Sequence, residues 1–169
     1  MSDQNHTENH LAPISSSTSS RFFVSQTDPN RPECVRLFQH LWEELGGLYG
    51  NTGPCEFRPT DVEGAAFVVA WLDDYAVGCG AILPLAPGMC EVKRMFVEPQ
   101  ARRLGVARAI LRELEQTARE LGYTTVYLET GNRQPGAIRL YEVAGYKHIE
   151  SYGRHAKDPL SVCFEKRLG

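Results

Sequence analysis

Apolar positions along the chain recur in two patterns, one with the period of a helix and one with the period of a strand. The helical pattern, in which apolar residues lie three and four positions apart, predicts amphipathic helices. Short apolar or β-branched runs that are bounded by turn-forming residues predict strands. The predicted helices cover 32–45, 104–121 and 135–144. The predicted strands cover 21–25, 65–72, 76–83, 90–97, 125–129, 146–151 and 160–166.

Glycine and proline mark the ends of several of these elements. Gly46 and Gly47 are expected to end the first helix, and the stretch 84–88 to form a loop after the third strand. The resulting order is strand, helix, a run of strands, helix, strand, helix and a final pair of strands. Strand–loop–helix units in the middle of this order indicate parallel pairing, because parallel strands are joined by a crossover. The pattern therefore predicts an α/β fold with a mixed sheet.

Length and composition place the chain in one class and exclude others. With 169 residues, 42% of them hydrophobic, the chain is long enough for one core, which we expect over 21–169, after a disordered polar tail over 1–20. The net charge of -3 argues against nucleic acid as a partner, and no apolar run is long enough to predict a membrane helix. The five cysteines form no C-x-x-C pair, so we expect a cytoplasmic protein with reduced thiols and no metal site.

One segment carries a charge that the total conceals. Residues 99–112 contain four arginines and no acid, at the junction where a predicted strand turns into a helix. The N-terminus of a helix presents unpaired N–H groups and the positive end of its dipole, so it can bind phosphate through the main chain. Gly105 and Ala107 are small enough to let phosphate oxygens approach the backbone. The segment predicts an anion site, with a solvated basic loop that caps a helix as the alternative.

Two motifs in and after this segment resemble those of a known family. The R-x-x-G-x-A motif at 102–107 matches the pyrophosphate loop of the GNAT (Gcn5-related) N-acetyltransferases, and the strand 92–99 is similar to that family's fourth strand. The run 137–146 is similar to the family's C-terminal A-x-x-L-Y-E-x-x-G-F signature. The resemblance covers roughly 22–168. It implies the GNAT acyl-CoA N-acyltransferase fold, a mostly antiparallel mixed sheet with a central parallel strand pair, flanked by helices.

The resemblance also implies acetyl-CoA as the cosubstrate and indicates the residues that hold it. The pyrophosphate is expected on the loop and helix start, and the pantetheine along the backbone of Met95 and Val97. Gln134 occupies the position where the family often has an asparagine that helps to hold the coenzyme A arm. The cofactor-binding residues expected on this basis are Met95, Phe96, Val97, Arg102, Arg103, Leu104, Gly105, Val106, Ala107, Arg108 and Gln134.

Two residues match catalytic positions of the family. An amine acceptor must lose a proton, and Glu91 is the expected proton acceptor because some members of the family have a glutamate base at this point of the strand. Glu129 and ordered water remain alternatives, as does a surface carboxylate at Glu91 that merely pairs with Lys93 or Arg94. Tyr141 matches the tyrosine that commonly protonates the departing coenzyme A thiolate. The implied mechanism is direct transfer from acetyl-CoA to an amine, without an acyl-enzyme.

The acceptor is the part that the sequence determines least. In this family the acceptor pocket is built from the first helix, the loop after it and the C-terminal strands. The residues expected there are Tyr49, Glu56, Phe57, Arg58, Arg94, Glu129, Tyr152 and Arg154. The cationic residues among them suit a small amine that carries a carboxylate, such as an amino acid. An acetyltransferase of protein amines and a non-catalytic acyl-CoA sensor remain as alternatives, and the sequence leaves homodimer formation open.

Overall fold

A computed structural model describes residues 22–50 and 62–169, so the tail over 1–20 and the residues Glu56, Phe57 and Arg58 lie outside the described residues. The strands are β1 (Phe22–Gln26), β2 (Ala66–Leu72), β3 (Tyr75–Ala86), β4 (Met89–Val97), β5 (Thr125–Gly131), β6 (Lys147–Ile149) and β7 (Ser161–Arg167). The helices are α1 (Pro32–Tyr49), α2 (Val106–Glu120) and α3 (Pro135–Val143), with short 3-10 turns at Pro99–Ala101 and Gly153–His155. The order of elements is the one that the hydrophobic pattern predicts.

The strands form one seven-stranded sheet in the order β1-β2-β3-β4-β5-β7-β6. β4 and β5 are parallel, and every other neighbouring pair in this sheet is antiparallel. The parallel pair is joined through α2, which supplies the crossover that such a pair needs. This topology confirms the expected mixed sheet with a central parallel pair.

The parallel pair separates partway along its length. β4 and β5 are paired over 89–92 and 125–128, but β4 continues to Val97 and β5 to Gly131. Just beyond the last pair Arg94 has a φ of 58°, and the register between β3 and β4 shifts at this point. A bulge of this kind bends the strand that carries it. The two strands therefore open a gap between their C-terminal halves.

Helices cover both faces of the sheet. α2 and α3 pack against one face, in a buried cluster that includes Val68, Val92 and Ile110. α1 packs against the other face, in a cluster that includes Leu37 and Val69. Neighbouring residues of a strand point to opposite faces, and each fully buried aliphatic side chain stabilises the fold by about 1.5–3 kcal/mol. The two clusters thus hold α2 and α3 on one face of the sheet and α1 on the other, so that helices flank the gap from both faces.

The first helix is longer than predicted. α1 runs through the two glycines at 46–47 and ends at Gly50, which has a φ of 86°. Arg133 holds the last turn, because its guanidinium donates to Leu48 O at 2.7 Å and its backbone N–H donates to the Tyr49 hydroxyl at 2.9 Å. Each helical glycine costs about 1 kcal/mol relative to alanine. These contacts come from a distant segment, so the local glycine signal gave the wrong helix end.

The third strand is also longer than predicted. The expected loop 84–88 is in large part strand, because β3 continues to Ala86 and Pro84 lies opposite Cys90 of β4. Proline donates no hydrogen bond to a strand ladder, and the register shifts between Pro84 and Ala86. Gly88, with a φ of 72°, makes the tight turn that follows. Pairing with β4 thus overrides the turn-forming composition of this stretch.

Candidate active site

The loop 102–108, between β4 and α2, has an open backbone. Arg103 and Gly105 both have positive φ, of 63° and 84°, and Gly105 caps the N-terminus of α2. The first helical hydrogen bond is donated by the Ala109 N–H to Gly105 O at 3.0 Å, so the N–H groups of the three residues before Ala109 precede the helical ladder. A Cβ at Gly105 would meet no atom within 4 Å. The loop therefore offers free donors and open space to an anion.

The arginines of this segment have different surroundings. Arg102 turns back onto the protein, because its Nε donates to Val97 O at 2.8 Å and its guanidinium pairs with Glu44 of α1. The exposed residues Arg103, Arg108 and Arg112 have no carboxylate within 4.0 Å among the described residues. Arg103 and Arg108 leave the loop with uncompensated positive charge, whereas Arg112 lies further along α2. Arg102, by contrast, ties the loop to α1.

A second contact between α1 and the loop region was missed by the sequence analysis. Glu98, directly after β4, is 3% exposed, and its Oε1 lies 2.7 Å from His40 Nδ1 and 4.0 Å from Arg36 Nε. Together with the pairing of Arg102 and Glu44, this contact fixes the start of the loop on α1. No local motif points to it, because α1 and the loop are about 60 residues apart in the chain.

The gap between β4 and β5 lies next to this loop. Two of the residues that follow the bulge pack into different clusters. Phe96 is 5% exposed and packs in the buried cluster between the sheet and α1, the α1-side cluster, whereas Met95 packs against the buried cluster between the sheet and α2, the α2-side cluster. Their side chains are thus taken up by the two cores. Beyond Val92, β4 presents to the gap a backbone edge that β5 does not pair, although Val97 O already accepts from Arg102.

Glu91 lies on the α1-facing side of the sheet, immediately before the gap. It is 7% exposed, and both of its oxygens are engaged. The Tyr152 hydroxyl donates to Oε1 at 2.8 Å, and Lys93 Nζ lies 2.9 Å from Oε2. A carboxylate has about four acceptor positions, so two remain for an incoming donor. The expected residues Glu91 and Tyr152 are therefore in direct contact.

Glu129 lies on the same side of the sheet, on β5. The Ser161 hydroxyl donates to its Oε1 at 2.7 Å, and His155 Nδ1 lies 3.8 Å from the same oxygen. Arg154 Nε is 3.3 Å from His155 Nε2, which makes Nε2 the acceptor and leaves the proton on Nδ1. We call the residues Glu91, Lys93, Glu129, Tyr152, His155 and Ser161 the acceptor face. The sequence analysis missed Ser161 and His155, because only the pairing of β5 with β7 brings them to Glu129.

Tyr141 lies on the other side of the sheet, in α3. It is 4% exposed and its ring packs against Tyr146 and Phe164, at centroid distances of 5.9 and 5.8 Å. Burial raises the pKa of its phenol above the ordinary value, and the charge of Glu129 adds to this effect. The phenol therefore keeps its proton at neutral pH.

The remaining expected residues have contacts of their own. A Cβ at Gly131 would collide with the Tyr49 hydroxyl, so Tyr49 closes the end of β5. Gln134 Oε1 accepts from Thr130 Oγ1 and from the Gly131 N–H, each at 3.2 Å, which leaves its amide NH2 group to donate. The guanidinium of Arg94 lies 4.8 Å from the centre of the Trp42 ring. Tyr49 and Gln134 thus lie at the C-terminal end of β5.

Within 22–50 and 62–169, no group of three or more His, Cys, Asp or Glu side chains is arranged to bind a metal ion. Over the same residues, no helix combines the length and the apolar composition that crossing a bilayer requires.

Comparisons with known proteins agree with this geometry. An IAA acetyltransferase of Azospirillum brasilense is 36% identical over 152 residues, which are 86% of this chain and 97% of that protein. The structure of a proposed acyl-CoA N-acyltransferase from Klebsiella pneumoniae has a TM-score of 0.76 and 30% identity, covering 89% of this chain and 99% of its own. A GNAT acetyltransferase from Elizabethkingia anophelis, solved with acetyl-CoA bound, has the same fold, with a TM-score of 0.64 at 15% identity and coverage of 87% and 98%.

The family assignment rests on these matches together with a family profile. The profile of the Acetyltransferase (GNAT) family matches residues 32–146, which include α1, the gap between β4 and β5, the loop 102–108 and α3. The chain therefore belongs to the GNAT family and is an acetyl-CoA-dependent acyltransferase.

Proposed function

We propose that this protein transfers an acetyl group directly from acetyl-CoA to the amine of a small molecule, within a ternary complex. The C–S bond of the thioester breaks and a C–N bond forms, the amine gives its proton to Glu91, and the thiolate takes a proton from Tyr141. The observation that carries the proposal is the position of Glu91, a buried carboxylate directly before the gap between β4 and β5.

Proton removal is the step for which the acceptor face is suited. An alkyl amine with a pKa of about 10 is almost entirely protonated at pH 7, and only the neutral amine attacks a thioester. Glu91 retains free lone pairs beside its bonds to Tyr152 and Lys93. Glu129 is the second candidate for the base, and its Oε1 accepts a hydrogen bond from the Ser161 hydroxyl.

Several features of the loop 102–108 support its proposed role in binding the pyrophosphate of acetyl-CoA. The N–H groups at the start of α2, the open space above Gly105 and the positive charge of Arg103 and Arg108 favour a bound diphosphate. The gap offers backbone groups to the pantetheine, and Gln134 offers its amide NH2 group. Residues 102–108, Gln134 and the backbone of 95–97 are therefore the proposed cofactor contacts.

Two of the described thiols, Cys34 and Cys90, are poorly suited to a covalent role. Burial raises the pKa of Cys34 to about 11 and that of Cys90 to about 12. The thiolate is the nucleophilic form of cysteine, so neither residue is suited to carry an acetyl group at neutral pH. Cys90 also points to the α2-side core, away from Glu91.

The degree of burial supports a small acceptor. Glu91 is 7% exposed and the side chain of Glu129 is 22% exposed, so both carboxylates lie below the surface. A small-molecule amine can reach such a buried position more easily than an amine on a side chain of a folded protein, which carries its own backbone with it. Arg94 and Arg154 supply positive charge near this side for an acceptor that also carries a carboxylate.

The test is an acetylation screen with purified protein. Each candidate acceptor is incubated with acetyl-CoA, and the products are identified by mass spectrometry. The candidates are amino acids, simple primary amines, peptides with free N-termini and lysines, and IAA, which is named in the Azospirillum brasilense relative. We expect stoichiometric release of coenzyme A with one class of small amine, and intersecting rather than parallel double-reciprocal plots. Modification of peptides alone would refute the small-molecule acceptor. Tight acetyl-CoA binding without turnover on any amine would favour a sensor instead.

A further inference from the structure

The hydrogen bond between Tyr152 and Glu91 joins two segments that are 61 residues apart in the chain. Tyr152 lies in the connection between β6 and β7, whereas Glu91 lies on β4. The hydroxyl donates to Oε1 at 2.8 Å while Lys93 binds Oε2 at 2.9 Å. Each oxygen of the carboxylate is thus held by a different donor, so its plane is fixed about its last rotatable bond.

The ring of Tyr152 is itself held firmly. It packs edge-on against Tyr127, with a centroid distance of 5.5 Å and an interplanar angle of 71°, and it lies 6.4 Å from the ring of His155. Tyr127 is the residue of β5 that pairs with Glu91 in the sheet. The 3-10 turn Gly153–His155 begins directly after Tyr152, whose carbonyl accepts from the His155 N–H at 3.0 Å. The phenol therefore cannot swing away without breaking this packing.

The connection is anchored at its far end as well. The Ser161 hydroxyl donates to Glu129 at 2.7 Å, and His155 lies against the same carboxylate. Both carboxylates of the acceptor face are thus contacted by residues of 152–161. Burial and the bond to Glu91 raise the pKa of the Tyr152 phenol, which keeps its proton available for that bond.

We propose that Tyr152 is a positioning residue for Glu91: it holds the carboxylate in the orientation in which it takes the proton of the amine, and it does not contact the acceptor. This assignment rests on the proposed function, in which Glu91 is the base. It replaces the role in acceptor binding that the sequence predicts for Tyr152. The donated proton of the phenol is already used by Glu91, so the hydroxyl has only its lone pairs left for another partner.

The test is a double-mutant cycle with Tyr152→Phe, Glu91→Gln and the double variant. We expect Tyr152→Phe to lower kcat by about 10-fold or more, since a hydrogen bond to a charged group is a strong one, while KM for the amine changes by less than about twofold. In the Glu91→Gln background the same substitution should have almost no further effect. Calorimetric titration with acetyl-CoA, expected to be unchanged, checks that the fold is intact.

Tyr123→Phe is the matched control. The Tyr123 hydroxyl donates to Gly64 O, also at 2.8 Å, next to the N-terminal end of β5 and away from Glu91. Its loss should lower the thermal unfolding midpoint about as much as Tyr152→Phe does, with kcat unchanged. The same double-mutant cycle is also measured by thermal unfolding. A coupling between Tyr152 and Glu91 in that measurement supports their contact without depending on turnover.

The outcomes separate the inference from the proposed function. A higher KM with unchanged kcat, or effects of Tyr152→Phe and Glu91→Gln that multiply, would overturn the positioning role alone. Independent contributions of the two residues to thermal stability would do the same. A wild-type protein that acetylates no amine would overturn the proposed function, and the positioning role with it.

Discussion

The loop 102–108 and the acceptor face are built in opposite ways. The loop is one contiguous stretch whose donors are main-chain N–H groups at the start of α2, with open space at Gly105. The acceptor face is assembled from β4, β5, β7 and the connection before β7, and its groups are side chains that already bind one another. The loop is thus an open backbone cradle, whereas the acceptor face is a preassembled network.

This difference indicates how each region tolerates change. A backbone cradle depends on small residues and on φ angles, so its side chains can vary while its glycine cannot. A side-chain network depends on the identity of each member, because removal of one partner leaves the other unsatisfied. The cofactor side is therefore expected to be sensitive to bulk, and the acceptor side to chemistry.

The largest effect is expected from Gly105→Glu. The side chain would enter the open space above the loop with a charge that repels a pyrophosphate, and like charges in contact cost several kcal/mol, so acetyl-CoA affinity should fall by about 100-fold or more. Isothermal calorimetry measures the loss. Gly122→Glu is the control, because Gly122 has the same φ of 84° and equally open surroundings at the other end of α2. Unchanged affinity in Gly105→Glu would show that the loop does not bind the cofactor.

The next effect separates the two carboxylates of the acceptor face. Loss of a general base typically lowers the rate by about 100- to 10,000-fold, so Glu91→Gln should lower kcat within this range and leave the acetyl-CoA affinity intact. Glu129→Gln is expected to cost less than about 10-fold, because Glu91 would still take the proton and the amide can still accept from Ser161. Steady-state kinetics compares the two, and a larger loss in Glu129→Gln would transfer the role of base to Glu129.

A smaller effect is expected from Tyr141→Phe. Loss of the proton donor to the thiolate should lower kcat by about 10- to 100-fold with unchanged cofactor affinity. Because burial raises the pKa of Tyr141, its phenol stays protonated throughout pH 7–10, so any decline in rate over that range should persist in the variant. Tyr146→Phe is the control, since the neighbouring Tyr146 hydroxyl is buried without a well-formed hydrogen bond. Equal losses in both variants would point to packing rather than proton donation.

The smallest effects are expected from the arginines of the loop. Arg103→Ala should weaken acetyl-CoA binding only about threefold, because it removes one exposed charge from a main-chain site. Arg102→Ala should cost less than about 10-fold in affinity and about 0.5–1 kcal/mol in stability, because Arg102 binds Val97 O and Glu44. Calorimetry and thermal unfolding measure the two quantities. A loss from Arg102→Ala as large as that from Gly105→Glu would mean that a side chain, not the backbone, holds the cofactor.

Most of the fold could be predicted from local patterns. The periodicity of apolar residues predicts the order of every helix and strand of the described residues. The errors lie where distant contacts override a local signal. Arg133 extends α1 past two glycines, and pairing with β4 draws Pro84 into β3. A local pattern contains no information about either partner.

The candidate site divides in the same manner. Loop 102–108 could be proposed from one helix start and its spacing, and Glu91, Tyr141 and Gln134 from their places in or beside family motifs; their roles stay predictions. The contact between His40 and Glu98, and that of Ser161 and His155 with Glu129, had no such signal. The contact between His40 and Glu98 depends on the packing of α1, and the contacts of Glu129 depend on the register of β5 with β7.

The sequence by itself determined the family and the order of elements and predicted the cofactor loop, because each of these is written in residues that are close together in the chain. Only the tertiary structure decided that Arg102 turns toward α1, that β4 and β5 part after four paired residues, and that Tyr152 bonds Glu91. The physical reason is that a main-chain anion site needs one turn of backbone, whereas a buried carboxylate needs donors that only the assembled sheet brings within hydrogen-bond distance.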